Sequence, residues 1–312
     1  MREVNHVKVI GVDHGFGNTK TASRCFRSGV TLCEKEPTFK ANLLTYDGRY
    51  YLIGEDRKEF TPDKMRDEDY YILTLAAVAE ELNANGLTTA QVHIAAGLPL
   101  TWVSEQKDAF RKYLTRNYNI EFAFRGIEYR VTITGASVFP QGFSAIADKL
   151  RDFRNVNLLC DIGNGTMNIL YVCDGKPDPN RCWTEKYGVN QCVLAVREEI
   201  MRRFGVALDD SIIEDVIRHG EAELSERYLR VIQDTARRYV AGIMRRLREH
   251  EYDPESVKLY VVGGGGCLLQ HFGEYDERRV TIDPDICATA KGYESLAARR
   301  LRNDREGGGG VA

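Results

Sequence analysis

The sequence predicts an α/β protein made of two related halves, each with largely parallel strand pairing around its own core. Three observations predict it. Short apolar runs rich in β-branched residues alternate with helix-length segments along the sequence. The pattern D-x-G-x-G follows an apolar run twice, as Asp13-His14-Gly15-Phe16-Gly17 and as Asp161-Ile162-Gly163-Asn164-Gly165. The copies begin 148 positions apart in 312 residues, which a duplicated unit explains most simply. A third apolar run, Tyr260-Val261-Val262, leads into Gly263-Gly264-Gly265-Gly266.

The elements follow in order. Val7 to Val12 is a buried strand ended by a glycine turn. Short strands are expected near Thr21–Phe26, Val30–Cys33 and Tyr50–Ile53, and the polar stretch Glu55–Tyr70 reads as a surface excursion. Tyr70–Leu82 has the composition of a helix and is closed by Asn85-Gly86. Val92–Ala96 is a strand ending at Gly97-Leu98-Pro99, and Ser104 is placed to cap a helix running to Asn117. Glu121–Phe124 and Tyr129–Thr134 form a strand pair around Gly126, and Phe143–Leu150 reads as a short helix. The plan then restarts. Asn157–Asp161 and Asn168–Val172 are strands; Val189–Phe204, Ser211–His219 and Ser225–Glu249 are helices; Leu259–Val262 is a strand. Pro284–Leu301 is a closing helix, ahead of a flexible glycine-rich tail, Asn303–Ala312.

Bulk properties narrow the function. A net charge of -3 gives little long-range attraction to nucleic acid or anionic lipid. The eight cysteines form no CxxC pair and have no histidines at zinc spacing, so they read as small apolar residues in a reducing compartment. The sequence opens without the layout of a signal peptide and has no run of about 18 apolar residues. The expectation is a soluble cytoplasmic protein that touches no membrane.

The glycine turns carry the chemistry. At the first, Gly15 and Gly17 bring backbone N–H groups close to an anion, and Lys20 supplies a point charge for phosphate oxygens. Asp13 ends the strand, where α/β sheets place their ligand crevices. A carboxylate beside phosphates requires a cation between them, and magnesium with its waters suits that place. A plain hairpin with an exposed lysine would show the same letters. The second turn, Asp161, Gly163, Gly165 and Thr166, repeats the design at a matching strand end, which coincidence explains poorly. At Gly263–Gly266, backbone free of side chains can lie flat against a base or ribose. The P-loop pattern is absent, and so is a G-x-G-x-x-G opening a βαβ unit near the N-terminus.

Strand-D-x-G-F-G-N-x-K, a second motif D-x-G-x-G-T near the middle of the sequence, a late strand-GGGG and a C-terminal helix resemble the signatures of the actin–Hsp70–sugar kinase superfamily. Val12-Asp13-His14-Gly15-Phe16-Gly17-Asn18-Thr19-Lys20 is most similar to the ParM/StbA branch of plasmid-segregation actins. The resemblance implies an actin-like (ribonuclease H-like) fold of duplicated domains with a nucleotide cleft between them. It implies domain I as residues 1–139 plus 286–302, with a small insertion at about 35–90, domain II as 140–285, and a tail at 303–312. Gly15, Phe16, Gly17, Asn18 and Lys20 would cradle the β- and γ-phosphates of ATP. Asp13 and Asp161 would hold magnesium through water. Gly163, Asn164, Gly165 and Thr166 would close over the γ-phosphate, and Gly263, Gly264, Gly265 and Gly266 would contact the adenosine. Ser137–Gly142 matches the first inter-domain connector, where Gln141 would orient the attacking water. Asp285–Lys291 matches the second, with Ala288, Ala290 and Gly292 small enough for a close helix contact. Phe16 departs from the Ser or Thr common in the superfamily, which moves phosphate contact onto backbone amides.

The resemblance thus implies a filament-forming ATPase that binds ATP or ADP with magnesium, associates with itself and meets a DNA-binding adaptor at a plasmid centromere, without touching DNA directly. The alternatives are a non-polymerising nucleotide-binding scaffold of the same fold and a small-molecule kinase. Other features read as structural. The seven arginines between Arg227 and Arg248 alternate with acids as a solvated, ion-paired face. His14, Tyr70, Tyr71, Trp102 and Cys160 are assigned to core or groove rather than chemistry.

Overall fold

The computed structural model describes residues 1–55, 65 and 67–306. The molecule divides into two compact units, Met1–Asp148 joined by the segment from Cys287 onward, and Lys149–Ile286.

The first unit is built on one mixed sheet. Its centre is β2 (Val7–His14), β8 (Thr89–Leu98) and β10 (Ile127–Pro140), paired in parallel. β1 (Arg2–Val4) and β3 (Asn18–Lys20) run antiparallel to β2, and β4 (Cys25–Arg27) continues beyond β3. On the other side β9 (Asn119–Phe124), β6 (Leu43–Tyr46), β7 (Arg49–Ile53) and β5 (Val30–Cys33) extend the sheet. Alternation decides which side chain faces which layer. Ile10 and Val12 join the core under α1 (Asp69–Ala84) and α2 (Val103–Leu114), while Val9 packs with Tyr293 and Ala297 of α7 (Ala288–Glu306). α1 is buried almost all round, from Tyr70 to Leu82, and Gly86 in the left-handed region ends it.

The second unit carries a five-stranded sheet. β11 (Val156–Ile162) pairs in parallel with β14 (Lys258–Val262), which pairs in parallel with β15 (Val280–Ile282). β12 (Met167–Cys173) and β13 (Lys176–Glu185) run antiparallel outward to the edge. α3 (Val189–Phe204), α4 (Asp210–His219), α5 (Glu226–Glu249) and α6 (Gly266–Phe272) bury one apolar stripe each against this sheet and one another. On the solvent side of α5, Arg230 pairs with Glu226 and Arg237 with Asp234, the ion-paired face that the sequence predicts.

Several elements differ from expectation. The strand expected at Thr21–Phe26 is a turn followed by β4, because the Thr21 N–H bonds the Arg24 carbonyl across the turn. Trp102, not Ser104, stands at the start of α2, which ends at Leu114. Phe143–Leu150 forms short 3₁₀ turns rather than an α-helix. The pairing is parallel only among β2, β8 and β10 in the first sheet and among β11, β14 and β15 in the second. The closing helix begins at Ala288, after Pro284, and runs through residues 303–306, where Arg300 and Asp304 pair one turn apart. The rest of the expected tail, 307–312, lies outside the described residues, as do 56–64 and 66 of the expected surface excursion.

Candidate functional site

In the first unit the carboxyl ends of three parallel strands bring Asp13, Lys20 and Gln141 together. Asp13 lies near the end of β2. The hairpin register sets Lys20 directly opposite it on β3. The Lys20 Nζ stands 3.6 Å from Asp13 Oδ2. Gln141 follows β10 and is pinned there by its N–H, which bonds the Leu98 carbonyl at 2.8 Å. Its side-chain Nε2 donates to Asp13 Oδ1 at 2.9 Å. The carboxylate is nearly buried, with one oxygen toward an amide donor and the other toward an ammonium. With Nε2 committed, the Gln141 Oε1 remains as an acceptor for a water.

Gly15, Phe16, Gly17 and Asn18 form the loop between Asp13 and Lys20. Neither Gly15 nor Gly17 uses the left-handed region. Gly15 is required for space instead, since a Cβ there would sit 2.6 Å from the Asn18 carbonyl oxygen. Phe16 is buried and Asn18 is exposed. His14 points the opposite way, into the core, where its Nε2 lies 2.8 Å from the Thr74 hydroxyl.

The loop is shaped from behind by residues that no motif marks. Ser28 is fully buried. Its hydroxyl donates to the Gly15 carbonyl at 2.7 Å, and its N–H to the Gly17 carbonyl at 3.1 Å. Glu81, also fully buried, accepts from the Thr21 hydroxyl at 2.5 Å and from both Ser23 donors, holding the turn that follows Lys20. Burial alone would raise the Glu81 pKa, but these hydrogen bonds and the N-terminal ammonium bring it below the ordinary value. A carboxylate on the buried face of the apolar helix α1 is the sequence signal for this residue. Ser28 carries none.

In the second unit Asp161 lies at the end of β11, buried, and the turn Gly163–Thr166 leads into β12. The Gly163 N–H bonds the Thr166 carbonyl at 2.9 Å. The start of α3 fixes the rest. The Val189 N–H donates to the Gly163 carbonyl at 3.1 Å, and the Asn190 N–H to the Asn164 carbonyl at 2.8 Å. A trans peptide sets its C=O and N–H in opposite directions, and none of the described peptide bonds is cis. The N–H groups of Asn164 and Gly165 therefore point away from α3 as a consecutive pair. Gly188 makes this approach feasible, because a Cβ there would lie 2.4 Å from the Asn164 carbonyl oxygen. Tyr239 of α5 locks Gly188 by donating its hydroxyl to that residue's carbonyl at 2.7 Å.

Gly263–Gly266 follow β14, the parallel neighbour of β11, so they stand beside Asp161. Gly263 takes a φ of +87°, and a Cβ on it would meet Asp161 Oδ1 at 2.5 Å. A Cβ on Gly265 would meet the Ile162 side chain at 2.2 Å, and the Gly265 N–H bonds the Ile162 carbonyl. Of the four, only Gly264 faces open space. Gly263 and Gly265 are thus required by packing against β11, and Gly266 by the Ile282 side chain of β15.

No cluster of three or more acidic, histidine or cysteine side chains fit to hold a metal occurs among the described residues. The oxygen-only character of Asp13 and Asp161 suits a hard cation such as magnesium, held mainly through water and ligand oxygens. Among the described residues, no helix is long and apolar enough to cross a membrane.

Comparison with known proteins places these units. Residues 11–143 match the actin-like proteins N-terminal domain, and residues 159–274 match the C-terminal domain of the archaeal actin homologue, MreB-like. Among solved structures the protein is similar to Ta0583, an archaeal actin homolog, at 21% identity and a TM-score of 0.72, covering 94% of this chain and 100% of that one. Ta0583 is also known in complex with ADP. The Alp12 filament structure is similar at 16% identity and a TM-score of 0.68, covering 95% and 100%. Bacillus thuringiensis ParM with AMPPNP is similar at 15% identity and a TM-score of 0.70, covering 96% and 100%. No curated protein matches the sequence significantly. The protein has the actin-like two-domain α/β fold.

Proposed function

We propose that this actin-like protein is a filament-forming ATPase of the ParM/StbA type. The observation that carries this reading is the repeated device in the two units: a buried aspartate at a strand end, followed by a loop whose carbonyls are tied back into the protein. Such ties aim backbone N–H groups outward without a ligand, so little ordering is left for binding. Support from relatives is of the same kind, since one is known with ADP, one with AMPPNP and one as a filament.

In this reading Gly15, Phe16, Gly17, Asn18 and Lys20 hold the phosphates from the first unit, with Gly163, Asn164, Gly165 and Thr166 from the second. Gly263–Gly266 contact the nucleoside. Magnesium, when bound, neutralises phosphate charge, and Asp13 and Asp161 hold it through water. Gln141 is hydrogen-bonded to Asp13 and so fixed in orientation. Its Oε1 accepts a hydrogen bond from the attacking water and positions it; an amide positions but does not take a proton. Lys20, whose Nζ faces Asp13, supplies a positive charge to phosphate oxygens. Nucleotide binding favours the polymerising state, and hydrolysis weakens subunit contacts by removing that preference. An adaptor at a plasmid centromere belongs to the same proposal.

Light scattering at right angles, after adding magnesium-ATP to micromolar protein, tests it. The signal rises and then decays as ATP is consumed. A flat trace with nucleotide bound would reject polymerisation and favour a scaffold that binds nucleotide without assembling.

A further inference from the structure

We propose that Cys25 and Cys287 form a redox-modification site that regulates the loop carrying Lys20. The regulatory half of this rests on the nucleotide-binding reading above, whereas the pairing of the thiols does not.

The two cysteines are 262 positions apart in sequence. Both belong to the first unit. The Cys287 Sγ lies 3.8 Å from the Arg24 carbonyl oxygen. That carbonyl belongs to the peptide bond that joins Arg24 to Cys25. The Cys287 thiol is therefore within one peptide unit of Cys25. The carbonyl is itself fixed, since it accepts the Thr21 N–H at 2.8 Å.

The facing of the side chains agrees. Along β2, Val9, Gly11 and Asp13 share one face. That face carries α7: Val9 packs with Tyr293 and Ala297, and a Cβ on Gly11 would meet the Ala290 carbonyl oxygen at 2.1 Å. Residues directly opposite in antiparallel pairs also share a face. Asp13 is opposite Lys20, and Lys20 is opposite Cys25. Cys25 thus points to the side covered by the start of α7, immediately after Cys287. The two segments thus lie side by side, and a disulfide between them requires their Cα atoms to come within roughly 4.4 to 6.8 Å. Cys25 is exposed and Cys287 half-buried, so an oxidant can reach the pair. Cys160 and Cys192, by contrast, are buried and their thiol pKa values are pushed up by burial.

The oxidant is a hydroperoxide. The Cys25 thiolate attacks a peroxide oxygen, the O–O bond breaks, and water leaves with a sulfenic acid on Cys25. The Cys287 thiolate then attacks that sulfur, the S–O bond breaks, and the hydroxide takes up a proton as a second water. Two thiols lose two electrons and two protons, and hydrogen peroxide becomes two waters. The disulfide ties β4 to the start of α7 and so holds Cys25, and Lys20 paired with it on β3, in place. Held there, Lys20 no longer reaches the position in which it would meet phosphate.

The experiment treats the full-length protein with hydrogen peroxide and maps crosslinks by mass spectrometry of non-reduced peptides. A Cys25–Cys287 peptide pair is expected to dominate. Magnesium-ATP affinity is expected to fall about tenfold on oxidation, the worth of one charge-assisted contact, and to recover with dithiothreitol. Cys25→Ser, at an exposed position, should fold and lose both effects; Cys287→Ser is the second check. Absence of the pair, or dominance of another, overturns the site. A crosslink that leaves ATP affinity unchanged overturns the regulation. If the reduced protein fails to bind ATP, the nucleotide reading fails, and the crosslink alone then upholds or overturns the thiol pairing.

Discussion

Ser28 shows how a residue can matter without belonging to a motif. It is fully buried and ties the Gly15 and Gly17 carbonyls, one by its hydroxyl and one by its N–H. Ser28→Ala would leave the Gly15 carbonyl without that donor, at a cost of about 1–3 kcal/mol. Chemical denaturation should show that loss, and an ATP titration should show weaker binding; a variant with normal stability and binding would remove Ser28 from the loop's support. Gln141, in the proposed reading, serves the chemical step instead. Its Nε2 bond to Asp13 is the only hydrogen bond of its side chain among the described residues. Gln141→Ala should leave ATP affinity within a few fold and lower turnover roughly a hundredfold, the scale of one lost transition-state contact. Equal losses in both would make it a binding residue. The candidate residues can be named from sequence because aspartate and glycine recur at the same spacing after two apolar strands. Their supports are not, because a serine or tyrosine held by distant backbone leaves no spacing to read.

At the scale of elements, β2, α1, α3, α5 and β14 are legible from apolar periodicity. β13 is not, and its composition explains why. It carries Pro177 and Pro179 and several charged residues. It pairs only with β12, at the edge of the sheet, where a missing N–H costs little. β3 and β6 are three and four residues long and are imposed by their neighbours rather than by their own letters. Packing between elements also places a histidine where it must stay neutral. His93 of β8 is buried and its Nε2 stands 2.9 Å from the Ser137 hydroxyl on β10. Burial first, and the charge of Arg300 second, bring its pKa down to about 4. An unfolded histidine titrates near 6.5, so between these values the unfolded state binds more protons than the folded one. The stability from keeping His93 neutral is complete above pH 6.5 and is lost as pH falls toward 4, by on the order of 3 kcal/mol at most. Denaturant unfolding at pH 7 and pH 5 should show this loss, and His93→Gln should lessen it. An identical pH dependence in both proteins would assign the loss to other groups.

At the scale of the molecule, each unit shapes its own loop through its own packing. Ser28 and Glu81 act within the first unit; Val189, Asn190 and Tyr239 act within the second. In the proposed reading, each loop carries a buried carboxylate, Asp13 in the first unit and Asp161 in the second, near where phosphate would bind. That arrangement makes a strong demand on the cation. On that proposal, Asp13 and Asp161 would repel the phosphates without magnesium and would support binding through water with it. Any ligand that binds only the folded protein stabilises it, by about 2.7 kcal/mol at a hundredfold excess over its Kd. Magnesium-ATP at that excess should therefore raise the unfolding temperature clearly. Replacing magnesium with a chelator at the same ATP concentration should remove most of the rise, and adding magnesium back should restore it. Thermal unfolding below the concentration needed for assembly separates this effect from polymer formation. If ATP stabilises the protein equally with chelator, the two aspartates do not work through a metal, and their burial beside Gln141 and Gly263 has a purely structural cause.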